Sequence, residues 1–455
     1  VTGCYGDPIV QTPNLDRLAS QGIVFENAYT TSPLCVPARQ SFTAGKYASR
    51  VSAWNNHRMM PPDSPSLPRL LNACGYQSVL VGKMHYDQTC RYGFEELPTK
   101  SNNGIMMGTG KRRLYDDTST NPKSWESRAK SFVAGEDSRI ISHDKDVTRQ
   151  ASEFLGKRKK DDPPFFLLAG YLAPHFPLTV PEEYLSRYRG KVPMPNIPEG
   201  LIEQLPTNYK HIRMGFGVVD TDPETVQLGR ECYWAFVNWM DDQVGELLRA
   251  LEQSEVGQDT VVIYMTDHGE NKGDHGMWWK SCMYEHAAGI PLIISCPGRL
   301  PQGQRRRGAC SSVDVVQTIA DIAGADSPAD WDGDSLLPWI EDPQFAWKDF
   351  ALSEYYAHFI LSGFTMVRQG KYKYVYHARW DEKRPPELEL YDMEQDPGEL
   401  ENLIGDPHYA DTAASMHARM IKELGEHPDD IEKRAVKELA QGYNRPEKGK
   451  AESEE

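Results

Sequence analysis

The feature that most constrains this chain is a recurring order: an amphipathic helix, a glycine stop, then a short and wholly apolar strand. Thr12 can cap a helix with Pro13 at its first position. Leu15, Leu18 and Ala19 then share one face, and Gly22 closes it. Ile23-Val24-Phe25 follows as a strand. The order recurs as helix 67–74, a stop at Gly75 and strand 78–81. Further strands are predicted at 165–171 and, after a long amphipathic helix around 231–251, at 260–265. Strands this apolar are buried on both faces. The pattern therefore predicts an α/β fold: a large, mostly parallel or mixed sheet sandwiched by helices.

This pattern occupies residues 1–345, the predicted catalytic domain. Within it, 101–145 is polar and reads as a surface insertion, and 177–208 is Pro-rich and reads as an irregular covering loop. Beyond 345 the pattern changes. Segments 365–376 and 387–391 read as antiparallel strands, the second leading to the turn Asp396-Pro397-Gly398, and 413–424 reads as a helix. We expect a smaller α+β subdomain over 346–440, built on an antiparallel sheet, and a disordered tail over 441–455.

Charge narrows the function classes. Lys plus Arg is 50 and Asp plus Glu is 66, a formal charge of −16. Such a chain is a poor binder of nucleic acid or anionic membrane, so neither is an expected partner. No stretch approaches the roughly 18–20 apolar residues of a membrane span. An anionic substrate would need positive charge gathered in one place. The eight cysteines include no C-x-x-C pair, so most should be small buried residues and not a disulfide framework. The chain opens at Val1 in what reads as mid-domain sequence. We expect a preceding segment with a first strand and any targeting signal. Compartment is left open, with export to the periplasm or outside one option.

Four polar clusters fall at strand ends or at a helix start, where open α/β sheets bind ligands. Cys35-Val36-Pro37-Ala38-Arg39 opens a helix whose free N–H groups favour an anion. Gly82-Lys83-Met84-His85 supplies a cation and a proton exchanger. Ala173-Pro174-His175 follows strand 165–171. Thr266-Asp267-His268-Gly269 ends strand 260–265 and offers metal ligands, with Lys280 downstream. Each alone has an ordinary reading: a buried thiol, a solvated lysine, a structural histidine, an Asx turn.

Together, and in this order, they resemble the sulfatase family. Cys35-x-Pro37-x-Arg39 with Gly45 is similar to the sulfatase signature, Gly82-Lys83-x-His85 to its G-K-x-H element, and Ala173-Pro174-His175 to its A-P-H string. Tyr5-Gly6, Thr12–Asp16, Leu390-Tyr391-Asp392 and Glu401-Asn402-Leu403 extend the resemblance over nearly the whole chain. It implies an alkaline phosphatase-like fold and hydrolysis of sulfate monoesters. It also implies a formylglycine nucleophile, made from Cys35 by a formylglycine-generating enzyme. Cys35, Arg39, Lys83, His85, His175 and Lys280 would be catalytic. Cys35, Asp267 and His268 would hold a divalent metal, Ca²⁺, together with paired Asp residues upstream of Val1.

The segments around Gly82–Tyr86 and Asp274-His275-Gly276 resemble the bacterial choline-sulfatase and polysaccharide-sulfatase branch. A sulfated carbohydrate is the favoured substrate, with Trp278 and Trp279 as candidate sugar platforms. Choline or aryl sulfates, phosphonate or phosphate monoesters, and noncatalytic binding of a sulfated glycan are the alternatives.

Overall fold

The computed structural model describes residues 1–87, 90–99, 112, 124–381 and 383–442. Among the described residues, nine strands precede residue 345: β1 Ile23–Tyr29, β2 Gln77–Gly82, β3 Glu95–Leu97, β4 Val133–Ala134, β5 Phe165–Gly170, β6 Thr179–Val180, β7 Val262–Met265, β8 Gly289–Ser295 and β9 Gln304–Ser311. They form sheets ordered β7-β8-β1-β9 and β3-β2-β5, with β4 and β6 as a separate pair. β2 runs parallel to β3 and β5, and β1 runs parallel to β9. β8, however, is antiparallel to both β1 and β7. The architecture is therefore mixed. The chain leaves β7, returns through residues 266–288 and enters β8 in the opposite direction.

The first five helices are α1 Pro13–Ser20, α2 Cys35–Ala44, α3 Leu67–Ala73, α4 Ser124–Ala129 and α5 Arg139–Lys157. Leu15, Leu18 and Ala19 of α1 are buried, as their spacing requires. α1 and α5 both pack on the long helix Pro223–Gln253, and α5 also packs on β2 and β5. α2 and α3 group instead with the helix Ser312–Ile322. The sheets thus take apolar cover from two helix groups.

Two expectations change. Most of 101–123 lies outside the described residues, but 124–145 is not a loose insertion: Trp125 and Phe132 are buried, and Phe132 stacks on Trp278. The Pro-rich stretch 177–208 holds β6 and two short helices, Glu182–Leu185 and Leu201–Gln204. Buried Leu185, Tyr188 and Val192 pin it to the core.

The C-terminal part is a meander of β10 Phe350–Tyr355, β11 Phe364–Gln369, β12 Tyr372–His377 and β13 Glu387–Asp392. The single strand expected at 365–376 is a hairpin, broken where Gly370 turns the chain at φ +54°. Helices Ala410–Leu424 and Pro428–Gln441 follow. The second runs to the start of the expected tail, and 443–455 lies outside the described residues. Tyr47, Trp54 and Val313 join the core beneath this sheet, so the two parts share apolar packing. All eight cysteines are free. Among the described residues, no helix is long and apolar enough to cross a membrane.

Candidate active site

Leu34 is extended, and the chain turns into α2 at Cys35. No side chain of Leu34 can cap the helix, so Asn56 supplies the acceptor: its Oδ1 takes the Val36 N–H at 3.0 Å. Pro37 has no N–H to leave orphaned in this first turn. Gly45 ends α2 at φ +68°, where a Cβ would meet the Trp331 ring.

Cys35 is only 2% exposed, and its Sγ lies 3.2 Å from His268 Nε2. His268 Nδ1 donates to the Gly269 carbonyl at 2.8 Å. A carbonyl only accepts, so Nδ1 carries a proton, and Nε2 is the ring atom that faces the sulfur. Arg39, one turn after Cys35, ties two other segments together. Its Nε donates to Asp267 Oδ2 at 2.8 Å and its Nη1 to the Lys83 carbonyl at 2.7 Å. Thr30 Oγ1 donates to the Asp267 carbonyl at 2.6 Å, which holds the end of β7 against the end of β1.

Opposite lies a second pair. Lys280 Nζ is 3.0 Å from His175 Nε2, while His175 Nδ1 donates to the Phe176 carbonyl at 2.6 Å. By the same logic, His175 is a neutral imidazole that accepts from the ammonium of Lys280. Burial and the charges of Lys280 and Lys83 hold its pKa down at about 3.

The field at the thiol is strongly positive. Burial pushes the Cys35 pKa up, but Lys280, Lys83 and His268 outweigh it and hold the thiol well below its ordinary range. Asp267 resists burial in the same way: Arg39 and His268 keep its carboxyl down at about 2, so it is ionised. Burial lowers the His85 imidazole, against a hydrogen bond to Cys35. Burial also lowers Lys83, against the pull of Cys35. In a chain of net charge −16, this is the local cationic pocket that an anionic substrate requires.

The candidate catalytic and metal-binding residues thus meet here: Cys35, Arg39, Lys83, His85, His175, Asp267, His268 and Lys280. Asn56 and Thr30 were not singled out, and neither lies in a motif; only the fold brings them in. Trp278 and Trp279 are not sugar platforms. They are 3% and 2% exposed and pack against Trp125, Phe176 and Phe216.

Cys35, Asp267 and His268 place a sulfur, a carboxylate oxygen and an imidazole nitrogen within 4.8 Å of one another. Three such atoms, one of them on an ionised carboxylate, fit part of a divalent cation's shell. Ca²⁺ takes six to eight oxygens, more than these residues supply. Among the described residues, β5 and β7 are edge strands. A cavity of about 730 Å³ lies between them and runs up to Lys83, His175, Asp267 and His268.

A thiol at a helix start, facing Lys83 and Lys280 at the ends of a mixed sheet, makes a site fit for an anion in an α/β fold. The family follows from comparison. The sulfatase family model matches residues 2–325, and the model for the C-terminal region of N-sulphoglucosamine sulphohydrolase matches 273–426. An uncharacterized sulfatase, YidJ, of Escherichia coli (strain K12) is 30% identical over 92% of this chain and 84% of its own. The choline-sulfatase of Rhizobium meliloti (strain 1021) is 31% identical over 88% and 78%. A protein solved in complex with its substrate D-glucosamine-2-N,6-O-disulfate shares the fold at a TM-score of 0.74 and 24% identity, covering 94% of this chain and 96% of that one. The chain belongs to the sulfatase family and is a sulfuric ester hydrolase.

Proposed function

We propose that this enzyme removes sulfate from a sulfated carbohydrate, with a formylglycine made from Cys35 as its nucleophile. The observation that carries the reading is the ring of Lys83, His85, His175, His268 and Lys280 around one buried thiol at the start of α2. Sulfate esters resist attack because their nonbridging oxygens repel nucleophiles. Lys83 and Lys280 offset that charge.

In the hydrated aldehyde, one hydroxyl loses its proton to water in the cavity under the positive field of Lys83 and Lys280, and its oxygen attacks sulfur in line while the bond from sulfur to the sugar oxygen breaks. Lys280 gives its proton to the departing oxygen, and neutral His175 holds the ammonium in position by accepting from it. His85 then takes the proton of the second hydroxyl. The carbonyl reforms, the bond to the sulfate oxygen breaks, and sulfate leaves without water attacking sulfur. Rehydration restores the nucleophile. Arg39 keeps Asp267 ionised and in place.

Cys35, Asp267 and His268 would hold a divalent cation, which when bound offsets charge on the sulfate oxygens. The family resemblance implies paired Asp residues for the rest of that shell.

A carbohydrate is favoured because a related fold holds a disulfated glucosamine. The test is turnover of a panel of sulfated sugars, choline sulfate and an aryl sulfate by the matured enzyme and by Cys35→Ala. Sugar sulfates should be the best substrates, and the variant should lose all turnover while remaining folded. Turnover retained by Cys35→Ala would refute the nucleophile; preference for choline or aryl sulfate would refute the substrate.

A further inference from the structure

Asp144 is a fully buried carboxylate for which the chemistry above has no use. It lies on α5, outside every motif, at 0% exposure. Burying a carboxylate is costly unless its oxygens are satisfied, so what it binds is informative. Its Oδ1 accepts the Leu172 N–H and its Oδ2 the Ala173 N–H, both at 2.8 Å. These groups lie just past the end of β5, where no neighbouring strand takes them. His143, also buried, donates from Nδ1 to Asp144 Oδ1 at 2.6 Å. Thr148, one turn on, adds a contact of 3.1 Å to the Tyr171 hydroxyl.

From that anchored pair the chain makes one turn: the His175 N–H donates back to the Leu172 carbonyl at 2.9 Å. Residues 172 and 173 are therefore held from α5 and from within the turn, and His175 is the side chain they present to Lys280. We infer that Asp144 is a positioning residue for catalysis: through the Leu172 and Ala173 N–H groups it fixes His175, and through His175 the proton that Lys280 delivers. His143 is the brace that fixes Asp144. The inference rests on the roles proposed above for His175 and Lys280.

Asp144→Asn is a sharp probe because it preserves volume. The amide keeps one acceptor but turns an NH₂ donor towards a backbone N–H, so one of the two clamps becomes donor against donor. A small displacement of a positioned group costs on the order of 100-fold in rate. The penalty should fall where the leaving oxygen needs a proton. A nitrophenyl sulfate leaves well unaided, whereas a sugar or alkyl sulfate does not.

The experiment measures kcat and KM of wild type, Asp144→Asn and His175→Gln on one sugar sulfate and on nitrophenyl sulfate, well below each melting temperature. Expected for Asp144→Asn is a kcat loss of about 10- to 100-fold on the sugar sulfate, less than about 3-fold on the aryl sulfate, and little change in KM. His175→Gln should show the same contrast. Equal losses of Asp144→Asn on both substrates, or none, would overturn the inference. If His175→Gln alone lost the contrast, the role of His175 itself would be refuted. Should Asp144→Asn not fold, His143→Asn removes one partner of Asp144 Oδ1 and leaves it the Leu172 N–H. A same-direction contrast of about 2-fold or more would support the inference, and its absence would overturn it.

Discussion

Individual residues here are set by charge more than by shape. Asp267 is ionised with its pKa at about 2 because Arg39 and His268 flank it, against the burial that would protonate it. It is also the one carboxylate among the three clustered donors, and it is held from both sides by Arg39 and Thr30. Asp267→Asn should therefore abolish stoichiometric divalent metal, measured by elemental analysis of the matured enzyme, and leave conversion of Cys35 unchanged. Metal retained at the wild-type ratio would contradict this. At this scale the sequence was legible wherever residues sat in motifs at strand ends, as Lys83, His175 and Asp267 do. It was silent on Asn56, Thr30 and Asp144, because a cap, a tether and a clamp act through backbone groups that only the fold brings near. It also misled at Trp278 and Trp279, where side chains that could bind a sugar are used as core.

At the scale of elements, the site depends on how closely β2 and β5 approach. Lys83 N–H donates to the Gly170 carbonyl at 2.8 Å, and a Cβ at Gly170 would sit on the Lys83 carbonyl. That same carbonyl accepts from Arg39. Gly170→Ala should then destabilise by about 1–3 kcal/mol through overpacking against backbone. It should also lower kcat, since Lys83 and Arg39 must both shift. Denaturant melts and steady-state rates would check this; full activity with wild-type stability would contradict it. Helix and strand order was readable from periodicity, as α1, β1, α3 and β2 show. The direction of β8 was not, because strand polarity depends on whether a connection crosses over or doubles back. Nor was the turn at Gly370, since a two-residue hairpin inside a β-rich run leaves the pattern almost unbroken.

The whole molecule carries buried carboxylates away from the site, and these set how its stability varies with pH. Burial raises Glu354 to about 7, Glu399 to about 7 and Asp332 to about 6. For Glu354 the ordinary value is 4.5, so between the two values the folded state holds a proton that the unfolded chain has released. Its contribution is complete below the unfolded value and is lost as pH rises through about 7. The loss is about 1–3 kcal/mol. Relative to Glu354→Gln, wild type should thus lose stability from about pH 5 to pH 8; the depressed imidazoles of His175 and His286 pull the other way, but equally in both proteins. Denaturation at the two pH values would check this, and identical slopes for both proteins would contradict it.

The central claim is that this pocket works through an aldehyde generated at Cys35, and the most direct measurement is of that residue itself. Enzyme produced with a formylglycine-generating enzyme, and enzyme produced without one, would be digested. The peptide spanning Cys35 would be quantified by mass spectrometry beside the turnover number of each preparation. Turnover should rise in proportion to the fraction carrying the aldehyde or its hydrate, and should extrapolate to zero for the thiol form. Full turnover from a preparation holding only the thiol would contradict the account.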